Sequence, residues 1–251
     1  MSKIIVSAHQ PNFMPYLGFF DKMRKSDIFV IRDEVLFVKK DYHQRNRIRI
    51  NGNDNFNNPQ FKWLKVPVES IEDYIMHILI KKDYEIKNVG WNIRMLNEIK
   101  ASYKGSKFFD EFYAQLKFIF DNSDDKLLSL NMKIINFLKD VFNIDCEIVM
   151  ASELGLKENN YSESDASEDL ANICKELNAD VYLSGFGGKE YLDLNPFKNK
   201  NIKLEFQDFN HPVYKQKFPG FIPNMAAIDA LFCLGSFPEA EVQEIKMRGL
   251  R

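Results

Sequence analysis

The stretch IIVSAHQPNFMPYLGFFDKMRKSDIFVIRDE, residues 4–34, decides the fold. Ile4-Ile5-Val6-Ser7-Ala8 is an apolar run of strand length. Asp27-Ile28-Phe29-Val30-Ile31 is a second, ending at Arg32-Asp33-Glu34. Between them, Leu17, Phe19, Phe20 and Met23 have the spacing of a short amphipathic helix over 16–25. Strand, helix and strand within about thirty residues read as a βαβ unit, and hence as part of a parallel sheet.

Working outward, the pattern changes and then returns. Residues 44–50 and 61–68 alternate and are expected to be antiparallel strands around the turn cluster Asn51-Gly52-Asn53-Asp54, with 77–82 as a candidate third strand. Three amphipathic helices are expected between Trp91 and Phe142, and their Phe-rich stripes read as core. Strands at 146–150, 180–184 and 201–206 then alternate with helices at 164–178 and 226–234. The expected architecture is one α/β domain over 1–251. It has a mixed, largely parallel Rossmann-like sheet, a small β insertion at about 44–82 and a helical segment at about 88–142.

Composition narrows the function classes. The chain has 251 residues, 45% hydrophobic and 28% charged, which excludes a disordered or collagen-like chain. No apolar run reaches the roughly 20 residues of a membrane helix, and the first strand is too short for a signal peptide. A cytoplasmic location is expected, without membrane insertion. Three scattered cysteines argue against a disulfide framework. A net charge of -2 gives no global pointer to nucleic acid.

Several familiar motifs fail. The turn after the first strand has one glycine where a dinucleotide fingerprint needs three. Ser184-Gly185-Phe186-Gly187-Gly188-Lys189 lacks Walker A spacing, and Tyr182 stands where a nucleophile elbow needs glycine. The four histidines and three cysteines show no paired ligand spacing, so no metal is expected.

Four segments remain as candidate chemistry. His9, Gln10 and Asn12 would sit beyond the carboxyl end of the first strand, on a turn stiffened by Pro11 and Pro15 and facing a helix N-terminus. That arrangement suits an anion, with His9 as donor or acid/base. His43 to Arg49 holds three of the chain's few arginines, and Arg45, Asn46 and Arg47 are candidates to grip phosphate or carboxylate. A solvated strand edge is the competing reading. Ser184, Gly185, Lys189 and Tyr191 form a glycine-rich connection after a strand, with Lys189 as a point charge. Finally, His211, Tyr214 and Gln216 follow the last strand, and Asp229 lies inside an apolar helix and needs a partner.

These segments resemble the WbqC-like protein family of bacterial surface-polysaccharide gene clusters. The resemblance rests on residues 8–22, on 26–33 with Gln44-Arg45-Asn46-Arg47-Ile48, on Trp63 to Val68, on Tyr182 to Leu192, and on Phe206 to Asn224 with Asp229. Ala227 and Cys233 depart from the residues expected beside Ile228-Asp229. The resemblance implies transfer of a glycyl or other acyl group to a nucleotide-linked amino sugar in O-antigen or capsule assembly. His9 or His211 would be the base, with Arg45, Arg47 and Lys189 on phosphate. The partner would then be a small nucleotide sugar. No nucleic acid is expected, an aminoacyl-tRNA donor apart. Two other readings stay open. One is a nucleotidyltransferase-like enzyme adenylating or cytidylylating a small acid, which would call on ATP with Mg²⁺. The other is a non-catalytic scaffold in polysaccharide assembly.

Overall fold

Strand β1 (Ile5–His9) is covered on both faces, with Val6, Ser7 and Ala8 all buried. Val6 and Ala8 pack with Leu170, Ile173 and Phe197 in one core, while Phe29 and Ile31 of β2 (Ile28–Ile31) join α1 (Leu17–Arg24) in the other. The computed structural model describes residues 3–52, 60–155 and 166–238. With β7 (Glu147–Met150), β8 (Val181–Ser184) and β9 (Lys203–Phe206), these strands form a five-stranded sheet in the order β7-β2-β1-β8-β9. Every pairing in it is parallel. The head of β1 is fixed by its neighbours. Ile5 N–H donates to Asp27 Oδ2 at 2.7 Å and Ile4 N–H to Asp180 Oδ2 at 2.8 Å.

Helices cover the sheet on both sides. The larger core holds α1, α2 (Trp91–Tyr103), α3 (Phe109–Asp121), α4 (Leu127–Val141) and α7 (Ile228–Leu234). The Phe stripes read from the sequence lie in it: Phe109, Phe112 and Phe120 are all buried. The smaller core holds α5 (Ala166–Glu176) and α6 (Asn195–Asn199).

The β insertion is separate from this sheet. Strands β3 (Arg45–Ile50) and β4 (Gln60–Lys65) pair antiparallel as a sheet of their own, and β5 (Glu85–Ile86) pairs with β6 (Val89–Gly90). The central sheet is therefore parallel rather than mixed. The expected third strand at 77–82 does not form. Ile80 bridges Val68 and Leu79 bridges Lys126, so the alternating residues meet two different partners and no continuous edge. The short α6 and the β5–β6 hairpin were not anticipated. The expected start of α5 at Ser164 lies outside the described residues.

Asp229 has the partners its burial demands. It accepts hydrogen bonds from Tyr103 Oη at 3.0 Å, Tyr214 Oη at 2.7 Å and Gln216 Nε2 at 2.9 Å. The Arg49 guanidinium lies nearby and favours the charged carboxylate, against the burial that raises its pKa. Arg49 in turn donates to the carbonyls of Gln60 and Pro219 at 2.7 and 2.8 Å. This network ties the hairpin, α2, the segment after β9 and α7 together. Asp229→Ala strands a buried guanidinium and two phenols, and is expected to cost roughly 3 kcal/mol or more of unfolding free energy. Equilibrium urea unfolding measures it, and a loss under about 1 kcal/mol would contradict the network's role.

Candidate active site

In an open parallel sheet the ligand crevice lies beyond the carboxyl ends of the strands, where the strand order reverses. Here the reversal falls between β1 and β8, so the rule points to the space beyond His9 and Ser184-Gly185 as the candidate crevice. His9, Gly185, Lys189 and Tyr191 all stand at this edge of the sheet.

Strand alternation turns Val6 and Ala8 to the smaller core and His9 to the α1 side. Its ring packs edge-on to Phe19, with centroids 4.9 Å apart. The Nδ1–H donates to the Gln10 carbonyl at 2.9 Å, which leaves Nε2 as an acceptor. Burial, then the nearby Lys22 ammonium, hold the imidazole down to about 3. Its environment therefore keeps the ring neutral at physiological pH. Its Nε2 lone pair is free to take a hydrogen bond from a ligand, but the ring is too weak a base to hold a proton.

The Gln10 side chain joins the crevice to the hairpin. Its Oε1 accepts from His43 Nε2–H at 2.9 Å, while His43 Nδ1 accepts from the Val38 N–H at 3.2 Å. The two bonds together fix His43 as the neutral Nε2–H tautomer, and burial lowers its pKa in the same sense.

Lys22 was not singled out from the sequence. It sits on the buried side of α1, with its ammonium donating to the Ala8 carbonyl at 2.8 Å. Burial lowers its pKa to about 7. A Cβ built on Gly185 would stand 3.8 Å from Lys22 Nζ, so the missing side chain of Gly185 leaves the amine room on the β8 side. A lysine on the inward face of an amphipathic helix is the signal that could have marked it.

The opposite rim carries Arg32, buried at the end of β2 and bonded to Glu34. Burial raises the Tyr191 phenol, and the Arg32 guanidinium nearby opposes that rise. Arg32 and Glu34 were also missed as site residues, although they close a strand adjoining β1. Lys189 rides over the Phe186 and Phe206 rings at 4.8 and 5.6 Å. Ser184 turns into its own loop and donates to the Gly185 carbonyl at 3.2 Å. A Cβ on Gly188 would meet Ser184 Oγ at 2.1 Å, so the tight loop after β8 requires glycine there.

Other predicted residues lie elsewhere. Arg45 stacks over Trp63 at 4.6 Å and Arg47 over Phe61 at 5.0 Å, on the hairpin face. Asn46 faces the opposite way and binds the Phe13 and Met14 carbonyls. Asn12 is buried, with Oδ1 unpartnered. His211 sits among Phe209, Tyr214 and Phe221, its Nδ1–H on the Pro212 carbonyl and its basicity lowered by burial. Tyr214 and Gln216 are committed to Asp229. Among the described residues no group of three or more His, Cys, Asp and Glu side chains could hold a metal, and no helix is long and apolar enough to cross a membrane. Burial raises the thiols of Cys146, Cys174 and Cys233 to about 11, 12 and 12, which leaves them unreactive.

Comparison with known proteins adds a family and one relative. The WbqC-like protein family matches residues 10–239. An uncharacterized protein of Mycobacterium tuberculosis, Rv1507c, is 25% identical over 233 residues, covering 92% of this chain and 94% of the relative. No solved structure matches the chain.

The two depressed nitrogen bases give a pH signature. The unfolded chain takes up a proton on the His9 site near 6.5, and the folded chain only near 3. Folding stability contributed by this site therefore falls as pH drops through that window. For Lys22 the folded chain releases its proton near 7 and the unfolded chain near 10.5, so stability from this site rises with pH across that window. In denaturation series at stepped pH, His9→Gln is expected to flatten the first slope, to which the lowered His43 and His211 also contribute, and Lys22→Met to flatten the second. Slopes that match the wild type would contradict the burial of these groups.

Proposed function

We propose that this chain, which belongs to the WbqC-like protein family, is an enzyme of surface-polysaccharide assembly. It transfers an aminoacyl or other acyl group to the amine of a nucleotide-linked amino sugar. The observation that carries this reading is a buried lysine with pKa about 7 beside a neutral histidine, at the switch point of a parallel sheet.

Acyl transfer to a sugar amine needs a base that works near neutrality, because the amine arrives as an ammonium ion. A pKa close to the working pH is the best compromise for such a base. Lys22 meets that requirement and His9 does not. Lys22 Nζ takes the ammonium proton, and the freed amine attacks the acyl carbonyl carbon. The C–N bond forms as the C–O bond to the leaving group breaks; Lys22 gives its proton to the departing oxygen, then takes the second proton from the new amide nitrogen and releases it to water. His9 Nε2 accepts a hydrogen bond from the sugar and orients it. Arg32 and Lys189 give the crevice positive charge on its other rim, suited to a pyrophosphate. His43 is separated from Arg45 by no more than roughly 7 Å of chain. The hairpin face with Arg45, Arg47, Trp63 and Phe61 therefore starts at the crevice and receives the nucleotide end of the substrate.

The test is a mass-resolved assay with a uridine diphosphate-linked 4-amino sugar. The donors offered are glycyl-tRNA, and glycine with ATP and Mg²⁺. An amide product is expected, with kcat/KM falling about a hundredfold or more in Lys22→Met, in the range of a lost general base. Pyrophosphate release from ATP or CTP with a small acid alone would replace this reading with the nucleotidyltransferase one. Absence of both amide product and nucleotide-sugar binding would leave the scaffold reading.

A further inference from the structure

A cavity of about 470 Å³ lies between the β3–β4 hairpin and α2, and none of the switch-point residues lines it. Its lining carries five cations, Lys39, Lys62, Lys65, Lys81 and Arg94, against the single carboxylate of Glu98. Glu98 is already bound to Lys62. The chain as a whole has net charge -2, so this is a local concentration of positive charge against the average. Like charges around one concavity repel one another and raise the local concentration of anions.

The floor gives an independent signal. Gln44 is only 1% exposed and lines this cavity, yet neither its Nε2 nor its Oε1 has a partner. Buried amides are nearly always hydrogen-bonded, so an amide with both ends unused requires an explanation. Its neighbour His43 is bonded to Gln10 at the switch-point crevice, while Gln44 turns to the other side. Tyr84 and Trp91 supply flat apolar surface in the same lining. Cations suit phosphate. The Gln44 Oε1 needs a donor, which the ionised phosphate group of a monoester lacks and a hydroxyl or amine of the same ligand supplies. The volume is that of a small-molecule site.

We infer that this cavity binds an organic phosphate, with the phosphate held by Lys65, Lys81 and Arg94 and a hydroxyl or amine of the ligand paired to Gln44. The inference does not depend on the chemistry of the switch-point crevice.

Isothermal titration of the full chain with glucose 6-phosphate, glycerol 3-phosphate and inorganic phosphate tests it. Saturable binding of at least one organic phosphate is expected, tighter than that of inorganic phosphate. Lys65→Glu/Lys81→Glu, at two exposed positions, should weaken it at least tenfold. Gln44→Leu should abolish the preference for the organic ligand and spare inorganic phosphate. Lys22→Met and His9→Gln should leave all three affinities unchanged, which separates this cavity from the crevice. The inference is overturned if no phosphate binds saturably, if the double charge reversal changes nothing, or if Gln44→Leu keeps the organic preference. Binding lost in Lys22→Met but kept in the double variant also overturns it, by placing the ligand in the crevice.

Discussion

The turn after β1 depends on two buried asparagines. Residues 10–15 belong to no helix or strand, yet much of the turn is buried, and buried carbonyls must find donors. Asn131 of α4 donates to Pro11 O at 2.7 Å and to His43 O at 2.8 Å. Asn46 of β3 donates to Met14 O at 2.7 Å, and Phe13 N–H reaches Tyr42 O at 2.9 Å. Met14 holds φ at 45°, a left-handed conformation that a side chain of this size rarely adopts without such restraint. The helical bundle and the hairpin are thus clamped onto the segment that carries His9 and Gln10. The β insertion serves as a wall of the site.

The crevice collects nitrogen bases and keeps them uncharged. His9, His43 and Lys22 are close enough that His9 is discouraged from ionising by both of the others. Three adjacent positive charges in a desolvated pocket would be costly, so protonation falls on the intrinsically strongest base. That places the one readily exchanged proton on Lys22 and leaves the imidazoles to direct hydrogen bonds. The fixed positive charge sits instead on Lys189 and on Arg32, which is buried and paired with Glu34.

Much of this was legible in the sequence, and the reasons differ by element. The apolar runs at 4–8 and 27–31 were unambiguous because a strand covered on both faces has no polar face to disguise it. Helix α6 escaped because Asn195–Asn199 is too short to show a period. The arginine cluster was visible as composition, but alternation alone could not show that Arg49 is drawn inward by carbonyls more than a hundred residues away. His9 stood out because its position, at the carboxyl end of the first strand, is where the fold places ligands. Lys22 was missed because a lysine in a helix is ordinarily a solvated one. Its inward placement depends on the helix's exact rotation against the sheet.

The strand order has a consequence for synthesis of the chain. β1 lies at the centre of the sheet, but its partner on one side is β8, which begins at Val181. At a translation rate of about 5–20 residues per second, that partner emerges from the ribosome roughly ten to thirty seconds after β1. Throughout that interval an apolar strand has an unpaired edge, the feature that most readily recruits foreign chains. Docking of β8 closes that edge, and the candidate crevice then lies beyond the carboxyl ends of the two strands. The pairing of β1 with β8 therefore both ends the aggregation hazard of the nascent chain and sets where the candidate crevice lies.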